Sequence, residues 1–527
     1  MDLSPADEMT PLGNDGNPQE YKEENITYNR KHKKHGTRKT AKQFWIFNIC
    51  FLLAFAPYLS ILGLQSSINI EEGIGTLSLG VAYASSIIFA LFITPIAVRR
   101  LGSHRAIVIG ELGYLIYILA NFYPKSYIMI IAGAIVGCGE ALVWTTLPMY
   151  FWHFGYQHGE FGTKPFESYV LKYTGLFYTV FQLGQIFGSS VSYGVLYGFK
   201  NKTQEISSYN SSSDLLHENE TEMNLKSHLQ YQYCGANDCQ SPNVTSENID
   251  SYVPADPYSL YIVISIFCAI SLSGICLHFK FLPRAKSKPL EIESNDQNVL
   301  HQKKDTDDSS EIIIQNTNFS YVSTLRQTCK HFFNPKQLLV SPILFYIGIF
   351  IAFIYSEMSR AYISCVLGVE QMGAVLIVYA FVSGCISALS PRIISKFGRN
   401  IVMSIACLID MSNFIFCLLW KPQDDTKYLV YLVGVMCGLS DGTWRNCTMD
   451  FYTEYFLHNQ EISFTIWNFW ITLGIAVAFF WSPYLCVSVK LYIQIGLLIF
   501  GIMCYVGAEY IHYKEKKLVE KRRLFNE

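Results

Sequence analysis

The sequence predicts an all-α polytopic membrane protein with twelve transmembrane helices in two six-helix halves. Three observations carry this reading: a low charge content, apolar runs of membrane-crossing length, and a polar central stretch that divides those runs six and six. The chain has 527 residues, of which 50% are hydrophobic, 15% aromatic and 16% charged. A soluble domain carries about 25% charged residues. The net charge of −2, from 40 basic and 42 acidic residues, offers no basic field for nucleic acid. The apolar runs match the roughly 20 residues that cross about 30 Å of hydrocarbon. A soluble enzyme, a coiled coil and a disordered scaffold are therefore excluded.

Residues 1–42 form a polar N-terminal tail with seven basic residues from Arg30 to Lys42 and no acid among them. A signal peptide would place a short apolar stretch directly after a few positive charges, so the tail reads as cytoplasmic. The first half, 43–279, contains spans near 43–67, 76–98, 106–123, 127–151, 171–198 and 259–279. The second, 338–510, contains 338–357, 372–391, 400–420, 428–448, 462–482 and 487–510. Between them, 280–337 is a mixed-charge linker that cannot bury a core. Residues 511–527 form a second cytoplasmic tail.

Orientation follows from the basic loops. Both tails, the 99–105 and 392–399 turns and the linker are rich in Lys and Arg, whereas 199–258 has Lys200, Lys202 and Lys226 against nine acids. Both termini are thus expected in the cytoplasm, with 199–258 outside. The 449–461 connection departs from the trend, with three acids and no Lys or Arg. Four glycosylation sequons fall in the exterior loop, at Asn201, Asn210, Asn219 and Asn243, which agrees with that side. Sequons at Asn25, Asn318 and Asn446 fall in the cytosol or within a span and are expected to stay unmodified. The loop also holds Cys234 and Cys239, five positions apart, which can close a small disulfide loop in an oxidising compartment. No Cys/His cluster supports a metal, and no cofactor is expected.

The halves repeat one another weakly. Leu101-Gly102 with Arg105 follows span 2, and Phe397-Gly398-Arg399 follows span 8. Gly137-Cys-Gly-Glu140 in span 4 has its counterpart in Gly438-Leu-Ser-Asp441 in span 10, and spans 3 and 9 carry Glu111 and Asp410. Equal halves with related loops are the pattern of a major-facilitator-like bundle around a midplane cavity.

An ionisable group inside a span costs about 2.5–3.5 kcal/mol on insertion scales, so Glu111, Glu140, Asp410, Asp441 and Arg445 are the candidate midplane or coupling charges. Asp441 and Arg445 are four apart on one helix and can neutralise each other. The other three acids have no local cation. Either they form a proton or cation site near the centre, or they are neutral acids hydrogen-bonded between helices. Glu357 and Arg360, at the end of span 7, are expected to be a solvated pair. Gly184-x-x-x-Gly188 allows close helix approach, as do Gly137 and Gly139. Trp144, Trp444, Trp467 and Trp470 are anchors or cavity walls. Pro57, Pro95 and Pro148 kink or end their helices. No Walker loop, G-x-S-x-G turn or H-E-x-x-H helix is present, nor the TVGYG filter of a potassium pore, so an enzyme is not expected.

Several segments resemble the uncoordinated-93 family, nearest its A-type homologues. They are Leu64-Gln65-Ser66-Ser67-Ile68-Asn69-Ile70-Glu71-Glu72-Gly73-Ile74-Gly75, Gly113-Tyr114, Asn121 to Pro124, and Gly137-x-Gly139 with Trp144. Cys234-Gly235 with Cys239, Asp441-x-x-Trp444, Glu461-x-x-Phe464 and Trp470-x-x-x-Gly474 complete the set. The resemblance covers nearly all spans and fails in both tails and the linker. Cys447 stands where the family often has Gln. What the resemblance implies is a plasma-membrane regulatory subunit of a two-pore-domain potassium channel, with a channel subunit and the lipid bilayer as partners. The receptor-escort role of another branch is not carried over. The alternative, which the two-half bundle with central acids suggests, is a secondary transporter coupled to H⁺ or Na⁺ and moving a small solute.

Overall fold

The computed structural model describes residues 18–70, 73–162, 166–210, 231, 233–239, 257–282, 321–456 and 460–526. Twelve long helices are described there. The first six are α1 (Pro18–Ile68), α2 (Ile74–Phe92), α3 (Thr94–Ala120), α4 (Ser126–Phe161), α5 (Phe166–Asn210) and α6 (Pro257–Phe281). A short helix, Tyr321–Phe332, precedes the second set. That set is α7 (Pro335–Phe353), α8 (Met372–Phe397), α9 (Arg399–Leu419), α10 (Leu429–Tyr455), α11 (Gln460–Trp481) and α12 (Val487–Asn526).

Among the described residues, nine helices are long and apolar enough to cross a membrane, and Thr465–Trp481 is apolar but shorter. The nine do not include α5 and α10. These helices carry buried Gln182, Gln185 and Ser189 in one case and Asp441 in the other, so polar side chains dilute their apolar content. On the outer surface, Ile131, Phe381, Leu408, Leu419 and Met503 are exposed, as residues facing lipid would be.

Antiparallel succession gives the bundle two ends. The termini end holds the start of α1 and the end of α12; the loop end holds the 233–239 segment. The two matched turns have one backbone form, with Gly102 at φ 76°, ψ 157° and Gly398 at φ 85°, ψ 148°. A side chain would be strained there, which explains why each half spends a glycine at this point. At the first turn the structure departs from the expected span 2: α2 stops at Phe92, Pro95 lies in the first turn of α3, and α3 is kinked at Gly102. Pro57 and Pro148 lie inside their helices.

The expected end of span 7 is also revised. Beyond Phe353 the helix continues as π-helical Ile354–Ser364 and then Cys365–Leu367. Its last turns are therefore buried protein rather than the water-facing end read from the charges. Likewise α5 extends to Asn210, past the expected boundary at 198.

Glycines set the closest helix approaches. A Cβ on Gly188 would lie 2.4 Å from the Ala56 carbonyl oxygen, and one on Gly137 would lie 2.0 Å from that of Ala82. The halves meet where α5 packs on α8 and α2 on α11. Tyr83 stacks on Phe479 at 5.7 Å between ring centroids, Ser67 and Ser364 share a 2.8 Å hydrogen bond, and Lys200 reaches Glu370 at 3.2 Å.

Candidate functional site

Four of the five candidate charges are drawn into side-chain networks. Asp441, on α10, receives Arg445 Nε at 3.0 and 3.1 Å on its two oxygens. From α8, the Tyr379 hydroxyl donates at 3.0 Å and the Ser383 hydroxyl at 2.8 Å to Oδ2. From α5, in the other half, Gln182 Nε2 donates to Asp441 at 3.3 Å and to Ser383 Oγ at 2.9 Å. The Arg445 guanidinium lies over the Phe181 ring at 5.9 Å. The i, i+4 spacing announces the Asp441–Arg445 pair; Gln182, 259 residues away, has no sequence signal. The cluster is thus a polar bolt through the junction of the halves.

Asp410, on α9, is fully buried and accepts from the Tyr346 hydroxyl at 2.6 Å and from Trp444 Nε1 at 2.7 Å. Trp444 is therefore a buried donor rather than an anchor at the membrane interface. Glu111, on α3, has no cation on its own helix but has an imidazole partner on another. His278, at the end of α6, places Nδ1 2.6 Å from its Oε1, and His278 Nε2 lies 3.1 Å from the Phe47 carbonyl oxygen. The imidazole escaped notice because it lies 167 residues away on another helix.

Glu140 differs. It is 8% exposed, and its Oε2 has no hydrogen-bond partner among the described residues. The position four residues on, where α10 has Arg445, is Trp144 on α4.

At the loop end a second cluster corrects two expectations. Glu357 and Arg360 are neither solvated nor paired with each other. Lys490 Nζ donates to Glu357 Oε1 at 2.7 Å and to the Ser482 carbonyl oxygen at 2.8 Å, and the Ser482 hydroxyl adds a 2.9 Å bond to the same carboxylate. Arg360 Nη2 instead faces Asp238 Oδ2 at 3.1 Å. The π-helical stretch carries both residues into the packed interior, where each finds an opposite charge on another segment.

Cys234 and Cys239 are both disulfide-bonded, but not to each other. Cys234 pairs with Cys365 after α7, and Cys239 pairs with Cys486 before α12. The Asp238 carbonyl oxygen accepts from the Val487 amide at 2.9 Å. The short segment is thereby stapled onto the second half. Its partners stand 131 and 247 residues away in sequence, beside apolar spans where cysteine passes for a small apolar residue.

Asn201 is exposed on α5 and Asn210 is that helix's last residue. Asn219 and Asn243 lie outside the described residues, as does Asn318. Asn25 lies in α1, and Asn446 is inside α10, with its amide on the carbonyl oxygens of Ser387 and Gly442. Among the described residues no group of three His, Cys, Asp or Glu side chains could hold a metal.

With the geometry in place, comparison with known proteins is decisive on one point. Residues 66–506 match the family described as ion channel regulatory protein UNC-93. The chain belongs to the UNC-93 family. It is 26% identical over 479 residues to protein unc-93 homolog A of Xenopus laevis, covering 91% of this chain and 95% of that one. With the Homo sapiens homolog A it is 25% identical over 476 residues, or 90% and 94% of the two chains. It is also 22% identical over 478 residues to unc-93 of Caenorhabditis elegans, whose name proposes potassium channel regulation; the match covers 90% of this chain and 61% of that protein. Among solved structures, a D-xylose–proton symporter superposes with a TM-score of 0.53 at 11% identity, over 89% of this chain and 96% of its own. A point mutant of the nucleoside transporter NupG gives 0.51 at 13% identity, over 89% and 99%. These two likenesses establish a transporter-type, major-facilitator fold and nothing about cargo.

Proposed function

We propose that this UNC-93 family member is a plasma-membrane protein that regulates a two-pore-domain potassium channel by associating with it, and that it has no catalytic role of its own. The name of the Caenorhabditis elegans relative supports a channel partner. The observation that carries the reading is the state of Asp441. In a carrier, a midplane acid between the halves has to be free to exchange partners as the halves rock. Here it is held by Arg445, Tyr379, Ser383 and, from the opposite half, Gln182. The polar centre joins the halves instead of facing a cargo.

In this reading both termini are cytoplasmic and the loop end is exterior. Two disulfides at the loop end suit an oxidising compartment, and the Lys/Arg-rich tails and turns at the other end suit the cytoplasm.

The test is whole-cell current from a two-pore-domain potassium channel with and without this protein, at matched channel surface density. A change in open probability supports regulation. An unchanged current, with the protein confirmed at the surface and saturable solute uptake by the protein alone, would move the assignment to a carrier.

A further inference from the structure

At the termini end the two halves treat their cations differently. In the second half the Arg399 guanidinium is held by Asp450 at 3.2 Å, by Glu454 at 2.8 Å and by Glu509. Lys336 reaches Glu515 at 2.6 Å, and Lys516 reaches Glu454 at 3.6 Å. The first half has the same glycine turn, but buried Ser103 follows Gly102 where Arg399 follows Gly398. Its cations are Arg100 and Arg105 at the turn, Lys280 at the end of α6, and Arg38, Lys39 and Lys42 on α1, and all six are exposed. None of the six forms an ion pair among the described residues. Glu111 is buried against His278, and Glu160, in the last turn of α4, is exposed and pairs with none of them.

Packing gathers these cations at one place and one depth. The His104 and Phe279 rings, 6.1 Å apart between centroids, join the turn that carries Arg105 to the end of α6 that carries Lys280. The 3.1 Å contact of His278 Nε2 with the Phe47 carbonyl oxygen ties the same end of α6 to α1. Arg100 opens the apolar stretch Arg100–Ala120, Lys280 lies one residue from the end of Tyr258–Phe281, and Arg38, Lys39 and Lys42 lie in the first two turns of Gly36–Ile68. Each therefore stands where a membrane-crossing segment meets the headgroups. Trp45, Phe92 and Phe279 are exposed at the same level, as aromatic residues at a membrane interface are.

We propose that the termini end of the first half is a binding surface for anionic phospholipid headgroups, formed by Arg38, Lys39 and Lys42 of α1, Arg100 and Arg105 of the α2–α3 turn, and Lys280 of α6. Charge complementarity names the occupant. The second half supplies carboxylates to its cations from its own chain, whereas the first half leaves its cations to be neutralised from outside. Their depth selects a lipid over a soluble acidic protein, because a phosphate or carboxylate at headgroup level meets the cations without leaving the membrane. Basic residues at that position attract acidic lipids, each contributing to binding, and the exposed aromatic side chains fix the depth at which they meet them. In the orientation proposed above the surface faces the cytoplasmic leaflet, where acidic lipids concentrate. The binding itself depends neither on that orientation nor on the channel reading, and its test involves no current.

Fluorescent phosphatidylserine, or phosphatidylcholine carrying the same label, is titrated into the purified full-length protein in detergent. Saturable binding that prefers phosphatidylserine and weakens as salt is raised is expected. The triple variant Arg100→Gln, Arg105→Gln, Lys280→Gln is expected to weaken that binding about a hundredfold, or about fivefold for each charge. Arg38→Gln, Lys39→Gln and Lys42→Gln together should act similarly. Lys336→Gln with Lys516→Gln removes two cations that already have carboxylate partners and is expected to change binding by less than about twofold. If the triple variant fails to fold, Arg105→Gln and Lys280→Gln alone carry the test, at about fivefold each. Equal affinity for the two lipids, which is the result expected if the cations serve an acidic protein instead, overturns the surface. So does an equal loss in the second-half control, which would reduce the effect to net charge.

Discussion

Lys490 and Glu357 face each other across 2.7 Å at the loop end, and neither side chain is more than 2% exposed. Each sits in a span-terminal segment of the second half, and each would be an uncompensated buried charge without the other. Removing one partner of such a pair costs about 3–5 kcal/mol, whereas replacing both with apolar groups of similar volume is often neutral. Lys490→Met or Glu357→Met alone is therefore expected to destabilise the protein severely, and the double variant Lys490→Met with Glu357→Met to regain much of the loss. Thermal unfolding of all four forms closes the cycle. Strictly additive losses would show that the pair does not act as a unit.

The stapled segment makes a covalent prediction. Peptide mapping of the non-reduced protein is expected to recover Cys234 linked to Cys365 and Cys239 linked to Cys486. Cys365→Ser then leaves Cys234 open to thiol labelling while the second bridge persists. A recovered Cys234–Cys239 peptide in unmodified protein would refute this arrangement.

These pairings show where sequence reasoning reached and where it stopped. The helices were legible because an apolar run is a local signal, and so was the Asp441–Arg445 pair, whose partners are one helical turn apart. The partners of Asp410 were not, because Tyr346 and Trp444 are neutral donors on other helices and leave no charge pattern. Glu357 and Arg360 were misread for a different reason. Their charges looked like the end of a span, yet the helix runs on through Leu367, with Lys490 and Asp238 folded in from distant segments. Cysteine pairing failed similarly, since the nearer cysteine in sequence was not the nearer one in space.

The exterior assignment of the loop end can be read on a gel. Enzymatic deglycosylation is expected to increase mobility, and combined Asn201→Gln, Asn210→Gln, Asn219→Gln and Asn243→Gln to reproduce that shift without the enzyme. Replacing Asn25, Asn318 and Asn446 should leave mobility unchanged. A shift retained by the four-site variant and lost with Asn25 or Asn318 would reverse the proposed orientation.

Helix packing gives opposite predictions for two glycines, one on α4 and one on α5. A Cβ at Gly137 would lie 2.0 Å from the Ala82 carbonyl oxygen and 2.1 Å from Ser85 Oγ. The first of these is backbone and cannot rotate away, so α2 and α4 must separate. Overpacking of this kind costs about 1–3 kcal/mol, and Gly137→Ala is expected to lower the unfolding midpoint. Gly175, on α5, has nothing within 4 Å of the same added carbon. There the substitution meets no neighbour and removes the entropic penalty of a helical glycine, a gain of about 0.5–1 kcal/mol. Gly175→Ala should therefore raise the midpoint. Because both changes add the same methyl group to a helix, helix propensity alone would move them in the same direction. Opposite signs, measured by intrinsic tryptophan fluorescence during heating, would place the difference in the α2–α4 contact; equal signs would remove that contact as the reason Gly137 is a glycine.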